Sequence, residues 1–501
     1  MWASLFIILG LSSLYILYHH FARELQEVDP ILLNHQTSIS ETRKSSESAV
    51  YRSVDVPHGV TVTRGLSLRN GYKIRDGCLK DIWYLALNNH QTKIAFGDKS
   101  FTLGQVNSIL HLIAQNLEQK NVQKVVVLGR LNESPELALV IMTCFFITDI
   151  TVVLCNSFND VNAIHNTPNG ILVTNSSFID KIPQKMFSEV IGINVNGGLS
   201  SNTSSTHFTQ ILDIGQDIES STDFLYNPDT DFAKVNNHPY SFVSKGTETR
   251  FFQVNFVSAV AAKVMSIPSP LSWNEKDSLL LSYTTQSFSS TNILFGLCCG
   301  LISNIGSIQI IDPKNIGTLK DLSTYKPTVL CIDSHILKTL CSSTKKSFWQ
   351  SFKLQRSEYL NSLGYFNSFG KIEKSLHLKM VYACQLSPVL SSFICNFCKS
   401  ILGCRIVREV YTNYSIGPIL KTNIYDFRIV QNRNLALLGV PANSVELKTV
   451  NPAEGESRGK LQVRGMSIGK GDHLVPDDEY WVDAGLEGSF ARDGCFYSDF
   501  Q

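Results

Sequence analysis

The sequence predicts an α/β protein, with two parallel-sheet subdomains and a small β subdomain behind one N-terminal transmembrane helix. Three observations lead there. Short β-branched runs alternate with runs whose apolar residues recur at helical spacing, the pattern of parallel strands joined by crossover helices. Near residue 425 the alternation gives way to short strands and turns. Residues 2–18, WASLFIILGLSSLYILY, are uncharged over a length just sufficient to span a bilayer.

Each element has its own signal. The apolar run has no basic segment before it and no small-residue cleavage site after it; His19, His20 and Arg23 follow. Trp2, Tyr15 and Tyr18 suit the two interfaces. This predicts a signal anchor over residues 1–20 with the body on the cytosolic side, the alternatives being a cleaved signal or a buried helix. Four Asn-X-Ser/Thr sequons, at Asn132, Asn175, Asn202 and Asn413, would carry glycans in a lumenal body. Residues 21–74 are polar and Ser-rich, as a linker would be. The first subdomain, 75–235, opens with a helix over 101–120. It continues through the strand KVVVLG, the helix ESPELALVIMTCFFI and the strands TVVLC, GILVTN and EVIGINV. The second, 236–424, has the strand DSLLLSY, the helix NILFGLCCGLIS and the strands SIQIID, PTVLCID, LKMVYA and CRIVREVY. The last, 425–501, holds SVELKTV, GKLQVRG and GSFARDGCFYS.

Composition narrows the function. Only 17% of the 501 residues are charged and the net charge is +1. That fraction is below the roughly 25% usual for soluble chains, so much of this one is buried or faces something apolar. With no basic stripe, no nucleic-acid partner is expected. The twelve cysteines sit mostly in apolar runs, which predicts buried thiols in a reducing compartment. Cys395 and Cys398, with Cys404 nearby, have CxxC spacing but no second pair, so packing is expected and no metal site.

One stretch invites a binding role. SFVSKGTETRFFQV, residues 241–254, places Ser244, Thr247 and Thr249 about Gly246, which would let backbone N–H groups surround a phosphate. Where a lysine and a second glycine would complete such a loop, the chain has Phe251, Phe252 and Gln253.

The order of motifs resembles the long-chain acyl-CoA synthetases of the adenylate-forming superfamily. LKMVYACQLSPVLSSFICNFCKSILGCRIVREVYTNYSIGP is similar to that family's strand, Gly-Ala-Ala-Pro-Leu-Ser turn, helix, Gly-Cys, strand and Tyr-Gly-x-Thr-Glu. FTLGQVNSILHLIAQNLEQK resembles its first helix, and GSIQIIDPKNIGTLKDLSTYKPTVLCIDSHILKTL its Gly-Gly…Arg-Pro-Thr segment. SFWQSFKLQRSEYLNSLG stands where long-chain members carry a helical insertion. RGKLQVRGMSIGKG and DEYWVDAGLEGSFARDGCFYSDF resemble Arg-Gly-Glu…Arg-Gly and Gly-Trp…Thr-Gly-Asp…Asp-Gly. The likeness covers roughly residues 75 to 500. It implies an adenylate-forming large domain and, in an intact member, ATP- and Mg²⁺-dependent acyl adenylation followed by transfer to coenzyme A.

Position by position, the ligand contacts that the resemblance implies are eroded. The phosphate loop keeps Gly246 and Thr247 but has Glu248 for a hydroxyl, Thr249 for glycine and Phe252 for lysine; Arg250 is the candidate replacement cation, and Lys245 and Lys263 are close in sequence. A glutamate there repels a triphosphate, and the lost lysine removes a clamp on developing charge. Tyr382 replaces the first glycine of the adenosine-cradling turn. Tyr411 survives, but Thr412, Tyr414 and Ser415 stand for the glycine, threonine and Mg²⁺-binding glutamate. Leu486 replaces the ribose-binding aspartate, Gln286 a histidine, and the sequence ends at Gln501, where a lid domain would begin. Vestigial nucleotide contacts are therefore expected at Gly246, Thr247, Thr249, Arg250, Tyr411 and Thr412, with no intact catalytic residue. The expectation is a membrane-bound, catalytically inactive synthetase-like protein of the endoplasmic reticulum or lipid droplet, without a cofactor. It would act in lipid metabolism as a scaffold or regulator, with acyl chains and an active synthetase or other lipid enzyme as partners. The alternative is a diverged active ligase using ATP, Mg²⁺ and CoA.

Overall fold

The computed structural model describes residues 8–17 and 26–500, apart from 71, 90, 97–98, 133, 135, 156, 163, 165–166, 176–186, 194–218, 229–239, 245–246, 285–288, 433, 451–457, 472–473 and 475–478. Two sheets organise it. The first takes β1 (Lys124–Leu128), β2 (Thr151–Cys155), β3 (Thr167–Asn175), β4 (Phe187–Ile193), β5 (Tyr240–Ser244) and β6 (Thr247–Phe251), in the order β4-β3-β1-β2-β5-β6. All its neighbours are parallel except β5 and β6, which form a hairpin.

The second sheet is built on β7 (Ser278–Ser282), β8 (Ser307–Ile310), β9 (Val329–Asp333), β10 (Met380–Gln385) and β11 (Arg405–Val410), parallel in the order β11-β10-β9-β7-β8. Every residue of β9 and β10 is buried, which is why these strands read as near-continuous apolar runs up to their last residues, Asp333 and Gln385. β12 (Leu420–Lys421) and β13 (Leu435–Pro441) carry the sheet into an antiparallel portion. That portion contains β14 (Val445–Val450), β15 (Gly459–Gly465), β16 (Val482–Phe490) and β17 (Phe496–Asp499).

Helices α1 (Leu79–Asn89), α2 (Leu103–Gln119), α3 (Glu136–Met142), α4 (Gln253–Met265) and α5 (Ser289–Ile302) share one large core with residues of both sheets. α6 (Ser334–Ser342), α7 (Phe348–Ser362) and α8 (Ser392–Leu402) cover the opposite face of the second sheet. Their ends follow local chemistry. Thr102 and Gln105 cap α2 reciprocally, and Ser391 caps α8, which stops at Gly403 in the left-handed region (φ 63°).

Three features depart from the sequence expectations. Within residues 21–74, expected as a linker, Thr37–Ile39 and Tyr51–Ser53 form strands, and the latter pairs with β14 through Tyr51 and Leu447. Their polar side chains hide the pattern, because only one face of an edge strand needs to be apolar. Lys93–Phe96 and Lys99–Thr102, inside the first predicted subdomain, form a hairpin that extends the second sheet beyond β8. The β5–β6 hairpin, placed in the second predicted subdomain, belongs to the first sheet. At the N-terminus residues 8–17 are helical and exposed, while 2–7 and 18 lie outside the described residues. Among the described residues no helix is long and apolar enough to cross a membrane.

Candidate functional site

Ligands of parallel α/β sheets bind beyond the carboxyl ends of the strands. Here that region is bounded by the ends of β10 and β11, the β5–β6 hairpin and the segment after β15. The structure draws three sequence-predicted pieces together by backbone bonds. Arg250 N donates to Lys470 O at 2.6 Å and Lys470 N to Arg250 O at 2.8 Å, closing β6 onto the later segment. Gly469 N donates to Tyr414 O at 2.8 Å, and Ile416 N to Ser467 O at 2.9 Å, closing that segment onto the turn after β11. Asn255, in the first turn of α4, clamps the junction by donating Nδ2 to Met466 O and Ile468 O.

Within this frame the side chains are turned to internal use. Glu248 Oε1 accepts from Ser241 Oγ at 2.6 Å and from Arg250 Nε at 3.4 Å, so the candidate cation neutralises the hairpin's own carboxylate. Thr249 and Phe251 are buried, whereas Thr247 is exposed. Phe252 precedes α4, its N–H donating to Asn255 Oδ1, and Lys470 Nζ lies 5.8 Å from its ring centre. Lys470 thus brings an ammonium near the position of the missing lysine, from a part of the chain over 200 residues away. Sequence reading gave no signal for it. Lys245, Gly246 and Gln286 lie outside the described residues.

In the turn after β11, Ser415 Oγ accepts from Thr412 N at 3.1 Å and donates to Gly417 O at 3.1 Å. A hydroxyl occupied in this way supplies no anionic oxygen for Mg²⁺, so these residues do not fit the metal that the resemblance implies. Leu486 is buried in the apolar core of the antiparallel portion, with Tyr414, Leu447 and Leu461. It accepts nothing from a ribose.

Tyr382 and Tyr411 belong to a buried polar group that the motif comparison missed. Lys263 of α4 forms an ion pair with Glu409 of β11, both almost fully enclosed. Tyr411 donates its hydroxyl to Glu409 Oε2 at 2.9 Å. The Lys263 ammonium stands 3.1 Å from the centre of the Tyr382 ring, which meets Trp273 edge-on. Burial pushes both phenols well above the usual tyrosine range, with Glu409 adding to the effect. Lys263 is therefore no phosphate-loop lysine. The available signal was a lone lysine in the largely apolar helix QVNFVSAVAAKVM; Glu409, beside Arg408 in the strand RIVREV, did not stand out.

Beside this group lies a cavity of about 210 Å³, bordered by Gln36, Asp55, Tyr382, Glu409 and Lys421. Burial lowers the Lys421 ammonium to about 8; Asp55 opposes the shift, Lys263 adds to it and Glu409 opposes it. At the end of β9, Asp333 takes both the N–H and the hydroxyl of Thr284. Burial raises its carboxyl and those two bonds hold it back. Asn132, a sequon asparagine, is buried with Nδ2 donating to Tyr283 O at 2.7 Å. The CxxC pair and Cys404 are buried free thiols packed with α6–α8.

Solved structures with this architecture decide the fold. A luciferase-like enzyme from the nonluminescent mealworm Zophobas morio superposes with a TM-score of 0.59 at 12% identity, over 88% of this chain and 100% of that one. A benzoate CoA ligase from Burkholderia xenovorans LB400 gives 0.59 at 12%, over 85% of this chain and 80% of its own. The anthranilate CoA ligase AuaEII, in complex with anthranoyl-AMP, gives 0.60 at 14%, over 84% and 76%. The fold is that of the adenylate-forming CoA ligases. At these identities the likeness reaches no further than the fold. No family model matches the chain. An uncharacterized protein of Saccharomyces cerevisiae, YHR045W, is 26% identical over 548 residues of alignment, covering 94% of both chains.

Proposed function

We propose that this chain keeps the CoA-ligase fold without the ligase reaction and serves as a membrane-attached, synthetase-like scaffold or regulator in lipid metabolism. One observation carries the reading. The described residues at the phosphate, Mg²⁺ and ribose positions are engaged within the chain, Glu248 with Ser241 and Arg250 on the exposed hairpin, Ser415 with its own turn and Leu486 in apolar packing. Carboxylate and hydroxyl groups already engaged by their neighbours gain little by taking a triphosphate. The apolar segment at residues 2–18 supports attachment to a membrane, with the endoplasmic reticulum or a lipid droplet as the proposed location. Acyl chains and an active synthetase or other lipid enzyme are the proposed partners, because apolar pocket walls need none of the ATP-contacting residues.

A second reading is favoured by Lys470 beside Phe252. In it the chain is a diverged long-chain fatty-acid–CoA ligase whose phosphate clamp is assembled from Lys470 and Arg250. Incubation of the purified full chain with ATP, Mg²⁺, oleate and CoA separates the two. The first reading expects no oleoyl-CoA above background and no saturable ATP binding by calorimetry. Oleoyl-CoA formation that disappears in Lys470→Ala would replace it with the second.

A further inference from the structure

Helix α7 is apolar on the wrong side. Its inner face packs through Leu354, Ser357, Leu360 and Asn361. At 3.6 residues per turn, Phe348, Phe352, Tyr359 and Leu363 fall within about 60° of one another on the opposite face. They project into solvent there, Phe348 80%, Phe352 58% and Tyr359 63% exposed, with Trp349 alongside at 71%. Exposed Lys345, Lys353 and Arg356 lie in or just before the same helix, against the single acidic Glu358, while Lys346 turns to the Phe397 ring of α8. Aromatic rings bordered by long basic side chains match the zone between acyl chains and anionic headgroups, where the rings enter and the cations remain at the surface.

A second observation places this face near a bilayer. Just past the C-terminal end of α7, Gln26 Nε2 sits 3.1 Å from where a Cβ on Gly364 would stand. The next residue, Glu27, is ion-paired with Arg405, whose guanidinium lies 4.3 Å from the centre of the Phe366 ring. Nine residue steps separate Leu17 from Gln26, so the apolar N-terminal segment ends within about 30 Å of this corner however those residues run.

We infer that the outer face of α7 is a second membrane contact that lays the body down on an anionic phospholipid surface. The geometry rests on the reading of residues 2–18 as an anchor; the composition of the face does not. The purified full chain is mixed with vesicles of phosphatidylcholine alone or with added phosphatidylserine. Flotation and hydrogen exchange of residues 345–363 are then measured separately, beside a Phe352→Asp/Tyr359→Asp variant whose changes lie on an exposed face.

The expected result is flotation with slowed exchange of that peptide, stronger on the anionic vesicles, and loss of the slowing in the variant. Flotation without slowed exchange overturns the α7 contact and leaves the anchor standing. Flotation lost in the variant sinks the anchor and upholds α7, whereas failure to float on either vesicle sinks both. Slowing that grows with protein concentration in the absence of lipid assigns the face to a second copy and overturns the proposal.

Discussion

Helix α4 carries a different chemistry at each end. At its N-terminal end, in the hairpin before it, Arg250 and Glu248 pair in the open, their side chains 63% and 41% exposed. Near its C-terminal end Lys263 and Glu409 pair with 4% and 2% exposed, roofed by two tyrosines. An exposed pair is screened by water and exchangeable; a buried one is held by the penalty of leaving either charge alone. The charges at the hairpin end of this helix are therefore expected to tolerate substitution, while those at the inner end are fixed by packing.

That contrast is testable, starting with the largest effect. Glu409→Gln should cost about 3–5 kcal/mol in urea unfolding, because it leaves the Lys263 ammonium enclosed without its counter-charge. Lys263→Met/Glu409→Leu should recover most of that loss. If the single variant unfolds like the parent, the buried pair is not what fixes this end.

Leu486→Asp should cost about 3 kcal/mol by placing a carboxylate in the antiparallel core, and should gain no ATP binding by calorimetry. Nucleotide binding in that variant would show that the position faces a ligand after all.

Lys421 gives a pH signature. With its ammonium lowered to about 8 in the folded state against 10.5 unfolded, the unfolded chain holds more protons between those values, so stability rises with pH across that window. The slope should approach 1.4 kcal/mol per pH unit, and Lys421→Met should lose this component in urea midpoints compared from pH 7.5 to 9.5. The smallest effect belongs to Glu248→Thr, expected within about 1 kcal/mol of the parent.

The architecture was legible where burial is two-sided. VLCID and MVYACQ could be read as strands because both faces are covered, which confines the charged and amide residues, Asp333 and Gln385, to the strand ends. Thr37–Ile39, Tyr51–Ser53 and the hairpin Lys93–Thr102 were not legible, since short strands near sheet edges tolerate Ser, Lys and Gly on their open faces. At the candidate site, the order of motifs drew attention to the hairpin and the turn after β11, but not to what their side chains touch. The contacts of Tyr382 with Lys263, and of Phe252 with Lys470, join residues more than 100 positions apart, and no local pattern encodes them. The charge pair left a trace only on its lysine, the one charged residue of the helix QVNFVSAVAAKVM, because the strand RIVREV already carries two arginines beside Glu409.

The twelve thiols give the molecule a built-in unfolding clock. Every one is free and buried. Burial moves Cys144 and Cys331 up to about 12, and Cys155, Cys384 and Cys495 are raised as well. Alkylating reagents attack the thiolate, so the native chain presents them almost nothing. Each cysteine takes label only when its own region opens, Cys155 with the first sheet, Cys384 with the second and Cys495 with the antiparallel portion. A single pulse of reagent read by peptide mass would therefore time the opening of three parts of one chain without a single substitution.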